Sequence, residues 1–316
     1  MNGRHKLKAA FQTLGHTRAL KDGTVRPGHF ELEIEEVPEI IQAFRRMVRG
    51  LEFDVSEMAL TTYITARAHH KAFTALPIFL IRAFHHGAIY YNRTKGIGGP
   101  LDLEGKRVGV SRGYTVTTGV WARSILQHEY GVDLSSITWV LSGDEHVTEF
   151  RAPANVTRLE PGKTLEEALV AGELTAAIGI QATHPDIAPL IPDAQEAGFQ
   201  ALARDGHYPI NHLLVVKDAT LAAHPELAVR LFEAFVAAKQ PYLERLRAGR
   251  IGAPTKADQM YRRVLDITHT DPLPYGVEPN RHMLEALIGY AREQQIISRR
   301  YEVEELFAPD TLALTA

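Results

Sequence analysis

The sequence predicts an α/β protein built from two compact units, each a mostly parallel sheet flanked by helices. Three observations carry this reading. The chain has 316 residues, about twice the roughly 150 residues of an average domain. Short apolar strands alternate with helical patterns along most of it, which is the pattern of parallel sheets covered on both faces. Two segments interrupt that alternation: NRTKGIGGP at 92–100, dense in glycine and bounded by proline, and HYPINH at 207–212. Both read as places where the chain passes from one unit to the other. From pattern alone the units lie either in series or interleaved.

Taken in order, Leu7, Ala9 and Phe11 alternate with polar neighbours before Gly15, a first strand that ends in a loop. After the turn KDGTVRPG, Phe30, Leu32 and Ile34 alternate again. Ile40, Ile41, Phe44, Met47, Val48 and Leu51 then recur at helical spacing. Residues 53–59 and 76–91 read as strands, separated by a helix near 61–68. Beyond the first crossing, 107–110 reads as a strand, 111–119 as a turn and 120–130 as a helix closed by Gly131. A strand at 137–140 follows. Thr164 with Glu167 three residues on is a capping box, and Gly172 stands where a helix C-terminal glycine belongs. Residues 176–180 supply another buried strand. After a helix ending near Asp205, 207–217 returns to a β pattern, and the remainder is nearly all helix, notably 225–238 and 283–294, the latter with Pro279 in its first turn.

Composition removes several classes. Lys and Arg number 35 against 38 Asp and Glu, a formal net charge of −3, with 45% hydrophobic and 23% charged residues. That is an ordinary folded protein, not a disordered one. The chain has no cysteine, which excludes disulfides, thiolate nucleophiles, iron–sulfur clusters and thiolate zinc sites. The basic runs RRMVR and RLRAGR are short and read as solvated helix faces, so no nucleic-acid partner is expected. The longest apolar stretch, 76–81, stops at Arg82, far below the ~20 residues of a membrane span. The N-terminus has a basic start but no apolar signal core, which predicts a cytoplasmic chain.

Four features bear on chemistry. A strand through 82–90 would place Arg82, Phe84, His86 and Tyr90 on one face. A cation there is costly unless it is paired or faces a cavity, so this is an anion site or else a surface edge with His85 and His86 solvated. The turn SRGYTVTTG joins a strand to a helix and gathers backbone N–H groups with the hydroxyls of Ser111, Thr115, Thr117 and Thr118, an anion-binding geometry without the glycine pattern of a phosphate or dinucleotide loop. The pairs His69/His70 and His85/His86 would point to opposite faces of a strand, and no HExxH occurs, so no metal site is expected. No GxSxG elbow is present. His212, in YPINH, reads first as a satisfied structural histidine.

Together, EFDVSEM (52–58), ALPIFLIRAFHHGAIYYN (75–92), DLEGKRVGV (102–110), TGVWARSIL with EYGV (118–132), YPINH (208–212) and DPLPYGVEPNR (271–281) resemble the 4,5-dihydroxyphthalate decarboxylase family. The match spans nearly the whole chain. The resemblance implies a type II periplasmic-binding-protein-like fold with a ligand cleft between interleaved lobes. Lobe one would comprise 1–95 plus 213–316 and lobe two 96–212, with hinges near 92–100 and 207–212. Arg82, Phe84 and His86 match the family's Arg-x-Phe-x-His strand. Ser56 and Glu57 match its Asp-x-Ser-Glu element, and Pro209 and His212 match its Pro-Ile-x-His hinge. Two places depart. LGHTRAL stands where a Tyr-Asp-Arg-Thr sequence is more usual, so that His16 replaces an arginine, and SRGYTVTTG stands where Pro-Glu-Tyr-Gln is more typical.

The activity implied is cofactor-independent decarboxylation of a hydroxylated aromatic carboxylate, with 3,4-dihydroxybenzoate and CO₂ as products of the family's substrate. Carboxylates would be clamped by Arg82, Arg18 or Arg112, since guanidinium forks suit them. His16, Ser56, Phe84, Ser111, Tyr114, Thr115, Thr117 and Thr118 complete the expected binding set. His86 and His212 would serve as acid and base, because imidazole titrates near neutral pH, with Glu57 orienting one of them. The partner expected is a small aromatic carboxylate, and a homodimer is left open. The alternative is a solute-binding protein of the ABC-transporter type that uses the same cleft without chemistry, and a third reading is a ligand sensor. Turnover is expected to survive exhaustive chelation. Loss of turnover that one divalent ion restores would turn His86 and His212 into metal ligands.

Overall fold

The computed structural model describes residues 5–316, so the first four residues of the basic start lie outside the described residues. In chain order the elements are β1 (His5–Ala10), α1 (Arg18–Lys21), β2 (Phe30–Ile34), α2 (Ile40–Gly50), β3 (Val55–Ala59), α3 (Leu60–Ala68) and β4 (Phe73–Arg82). There follow β5 (Ile89–Asn92), β6 (Arg107–Val110), α4 (Thr117–His128), β7 (Thr138–Leu141), β8 (Val156–Arg158), α5 (Leu165–Ala171), β9 (Ala176–Ile178), β10 (Ile187–Pro189) and α6 (Ala194–Asp205). The chain ends with β11 (Ile210–Lys217), α7 (Asp218–Ala223), α8 (Leu227–Arg247), α9 (Lys256–Thr268) and α10 (Arg281–Glu293). No helix of the described residues is long and apolar enough to cross a membrane.

Two compact units result. The first runs to Arg82 and resumes over Ile210–Glu285 and Tyr301–Ala316, and the second comprises Ala83–Pro209 and Ala286–Arg300. These bounds differ from those expected at 95/96 and 212/213, because strand pairing and not linker composition decides them. β5 pairs antiparallel with β9 and β10, so 83–95 belongs to the second unit. β11 starts at Ile210 in the first sheet, which takes 210–212 with it. Residues 286–300 also join the second unit.

Both sheets are mixed, with helices flanking them. The first has the order β2-β1-β3-β11-β4 and the second β10-β5-β9-β6-β7-β8. The parallel pairs are β1 with β2 and β3 in the first sheet and β6 with β7 and β9, and β7 with β8, in the second, the last joined by the helix-free segment 142–155; the antiparallel pairs arise at the strand that follows a crossing, β11 in one and β5 in the other. β6 matches its expected bounds. α4 begins at Thr117, earlier than expected, and Pro279 sits in a short 3-10 turn (Glu278–Asn280) ahead of α10 rather than inside its first turn. The Thr164–Glu167 capping box forms, and Gly172 closes α5 at a φ of 81°.

The first sheet packs on α8, where Leu76, Ile78, Leu80, Leu214 and Val216 meet Leu231, Phe232 and Phe235. In the second unit, Val140 and Ala177 meet Leu165, Ala168 and Leu169 of α5. Pro77 is tolerated within β4 because β4 is an edge strand and its register with β11 is irregular there. The Pro77 carbonyl accepts instead from Gly276 N–H at 2.8 Å. Gly276 holds a φ of 105°, and a Cβ there would lie 2.4 Å from the Leu314 carbonyl oxygen. Gly276→Ala is therefore expected to destabilise the first unit by more than about 1 kcal/mol, read as a lower urea midpoint at unchanged slope.

Candidate active site

Glu57 and His212 meet by sheet geometry. β11 runs antiparallel to β3 with Leu214 opposite Glu57 and His212 opposite Ala59. Side chains two residues apart on a strand share a face, so His212 is the diagonal neighbour of Glu57, a separation that long side chains span. His212 Nδ1 lies 2.6 Å from Glu57 Oε1. The register of β11 against β4 shifts on both sides of His212, and irregularities of this kind re-aim a side chain next to sites. The ring also stands edge-on to Phe44, 5.1 Å between centroids.

Glu57 is wholly buried, whereas the His212 side chain remains 18% exposed. Burial works to raise the Glu57 carboxyl. The bond to His212, that ring's charge and two bonds from Gln12 outweigh burial, and the carboxyl is held below its ordinary value. Gln12 N–H donates to Oε2 at 2.9 Å and its side-chain amide to Oε1 at 2.7 Å. An ionised carboxylate only accepts, so the proton of the pair sits on Nδ1 and the ring presents Nε2 as its second functional nitrogen. Ser56, on the opposite face of β3, donates its hydroxyl to the Glu57 carbonyl at 2.8 Å.

The other expected residues of the first unit divide. His16 is fully buried and lies 5.7 Å from the Tyr242 ring. Burial, with the Lys239 charge adding to it against a bond to the Leu80 backbone, pulls its pKa down to about 4, so the imidazole is neutral at pH 7. Arg82 is buried and donates to Asn280 Oδ1 at 2.5 Å. Asn280 in turn donates to the carbonyls of Pro274 and Gly276 at 2.9 and 2.8 Å. Arg18 is exposed on α1.

Arg82, Phe84, His86 and Tyr90 do not share a strand face. Arg82 pairs with Ile210, the first residue of β11, so β4 runs out of partner and ends there, and His86 opens a 3-10 turn. In the second unit Phe84 packs on Phe199 and Tyr208, with centroids 4.9 and 5.5 Å away, and Tyr90 packs against the α5 core. His86 is buried, with its Nε2 3.1 Å from Glu129 Oε1. Burial raises the Glu129 carboxyl, but His86, His207 and Arg204 bring it below its ordinary value. His86 and His212 thus belong to different units, each with its own carboxylate.

The turn before α4 already holds an anion, and it comes from the chain. Glu145 accepts from Tyr114 N–H, from Thr115 N–H at 3.2 Å and from the Thr115 hydroxyl at 2.6 Å. Gly113 is required beside it, since a Cβ would lie 2.6 Å from that carboxylate. Arg112 takes a left-handed φ of 68°, and its N–H donates to Ser142 Oγ at 2.9 Å. Ser111 and Thr118 are half-buried and Thr117 is buried as the first residue of α4. Sequence reasoning missed Gln12, Glu129, Glu145 and Asn280. Each bonds a residue far away in the chain; Glu129 and Asn280 stand in the family segments EYGV and DPLPYGVEPNR, which drew attention to them without a role, whereas Gln12 and Glu145 stand in no such segment. Both histidine pairs considered for metal lie off the strands. Among the described residues no group of three or more His, Asp or Glu is placed to hold a metal ion.

No family model matches the chain. Among solved structures it is similar to the alkanesulfonate-binding protein SsuA from Xanthomonas axonopodis pv. citri bound to MOPS, at 17% identity and a TM-score of 0.53 over 98% of this chain and 99% of that one. It is also similar to a conserved Candida albicans gene product described as having the generic periplasmic binding protein fold, at 13% identity and a TM-score of 0.54 over 94% and 92%. The fold is therefore that of the periplasmic binding proteins. In sequence the chain is 32% identical over 325 residues to the 4,5-dihydroxyphthalate decarboxylase of Comamonas testosteroni, covering 97% of each. It is 34% identical over 195 residues to that of Pseudomonas putida, covering 57% of this chain and 74% of the relative. The chain belongs to the 4,5-dihydroxyphthalate decarboxylase family.

The neutral, buried His16 makes a pH prediction. Its folded pKa is lowered from 6.5 to about 4, so the unfolded chain takes up the proton first. The stability is full above 6.5 and is lost as pH falls towards 4, by about 3 kcal/mol. His16→Gln is expected to flatten that part of the denaturation profile. An unchanged slope in the variant would show that His16 is not the group responsible.

Proposed function

We propose that this chain decarboxylates a hydroxylated aromatic carboxylate, with 4,5-dihydroxyphthalate as the substrate to test first, and that the Glu57–His212 pair moves the proton. Two things support the reading: membership of the decarboxylase family, and a histidine held at 2.6 Å by an ionised buried carboxylate while part of its ring stays accessible. Loss of CO₂ from an arene needs a proton at the carbon that carries the carboxylate. The imidazolium of His212 donates that proton to the ring carbon as electrons move in from a ring hydroxyl. The bond to the carboxylate then breaks, its electron pair restores the aromatic ring and its hydroxyl, CO₂ leaves, and His212 takes a proton from solvent to replace the one now on the ring carbon. Glu57 stabilises the charged ring throughout, as a carboxylate behind a general acid does. His16 is a neutral hydrogen-bonding group in this scheme, and Arg18 is the exposed guanidinium available to a substrate carboxylate.

Incubation with 4,5-dihydroxyphthalate is expected to release CO₂ and 3,4-dihydroxybenzoate. His212→Asn is expected to lower turnover by about 10²–10⁴-fold with affinity nearly intact. A wild-type chain that binds the compound without releasing CO₂ would overturn the assignment, as would wild-type turnover in a stable His212→Asn variant.

A further inference from the structure

The loop that departs from the family pattern, between β1 and α1, carries the bonds that hold Glu57. β1 pairs with β3 through Ala10 and Ser56, so the next step along both chains brings residues 11 and 12 beside Glu57. Gln12 uses two donors on the two oxygens of one carboxylate: its backbone N–H on Oε2 and its side-chain amide on Oε1, the oxygen that also receives His212. Gln12 is itself fixed. The buried Thr17 hydroxyl donates to the Gln12 carbonyl at 2.8 Å and accepts from Leu14 N–H at 2.8 Å, and Thr17 N–H donates to the Leu14 carbonyl at 3.1 Å.

We infer that Gln12 is a positioning residue, which sets the plane of the Glu57 carboxylate and through it the direction of the His212 ring. The inference rests on the reading of His212 as the proton donor. A carboxylate with one bond can rotate about its last torsion, whereas one with three bonds from two directions cannot. The same bonds are among the causes that keep the Glu57 carboxyl below its ordinary value. Among the described residues His16 and Tyr261 also feel its charge.

The test uses Gln12→Met, which keeps length and the backbone donor but removes the amide, and Gln12→Glu, which places a second carboxyl against the first. The ¹⁵N shifts of the His212 ring are followed between about pH 4 and about pH 9 in the ligand-free protein, alongside turnover and KM. In Gln12→Met the acid-side inflection of the His212 signals is expected to move to higher pH. Turnover should fall about tenfold, less than the about 10²–10⁴ of the acid itself, with KM within about twofold. In Gln12→Glu the inflection is expected to move further up, because two carboxyls share the site. Ring signals and pH profile unchanged in a folded variant overturn the inference. So does loss of cooperative melting in both variants, which would make Gln12 a residue of the fold. A wild-type chain with no turnover, whose His212 signals still respond to Gln12→Met, would instead reject the decarboxylase reading and leave the positioning role intact.

Discussion

The antiparallel insertion of β11 between β3 and β4 is the constraint on which the first unit depends. Leu213, Leu214, Val215 and Val216 are all fully buried, so both faces of this strand lie in core. A slip of one residue would move every side chain to the other face. His212 would then leave the face it shares with Glu57. Core packing therefore locks the register, and the register, rather than any local preference of the histidine, sets the hydrogen bond to Glu57. The pairing with β4 is regular from Leu214 onward and irregular from Ile210 to Leu214, the half of the strand that carries His212.

Buried charge is handled in two chemically different ways. An uncompensated ion in a protein interior costs several kcal/mol. Glu57 offsets that with three donors, one of them an imidazole that can itself gain and lose a proton. Arg123 is buried as deeply and, among the described residues, has no carboxylate within ion-pair distance. It donates to Gln294 Oε1 at 2.8 Å and to the Tyr114 carbonyl at 2.7 Å, and its guanidinium lies 3.9 Å from the centre of the Tyr114 ring. Burial lowers its pKa, but guanidinium does not lose its proton in a protein. The first arrangement can carry a proton, and the second can only brace α4 against the segment that follows α10.

Much of the fold was legible because local pattern and tertiary role agree. Residues 107–110 are a buried strand at their predicted bounds, and the Thr164–Glu167 box and Gly172 mark the two ends of α5. The pair of site residues was legible only through the family motifs, since Glu57 and His212 are 155 residues apart in the chain. The run 76–91 misled for a physical reason: an apolar alternation continues past Arg82, but a strand extends only as far as its neighbour does, and β11 starts at Ile210. Gln12 was invisible for the same kind of reason. Its two bonds to Glu57 follow from β1 lying beside β3, a fact of topology that no spacing in the sequence encodes.

The turn before α4 shows how residue types can be read correctly and their partner missed. Ser, Thr and exposed backbone N–H groups at a strand-to-helix turn do mark an anion site, and an anion is bound there. It is Glu145, held by the N–H groups of Tyr114 and Thr115 and by the Thr115 hydroxyl. Hydrogen bonds to a charged group are worth about 1.5–3 kcal/mol each, so a ligand carboxylate reaches these donors only by displacing one already satisfied. Any second acceptor, charged or neutral, would meet the same competition from Glu145 for these donors. The turn's donors are thus satisfied by a residue of the chain itself, brought there from 30 residues further along the chain.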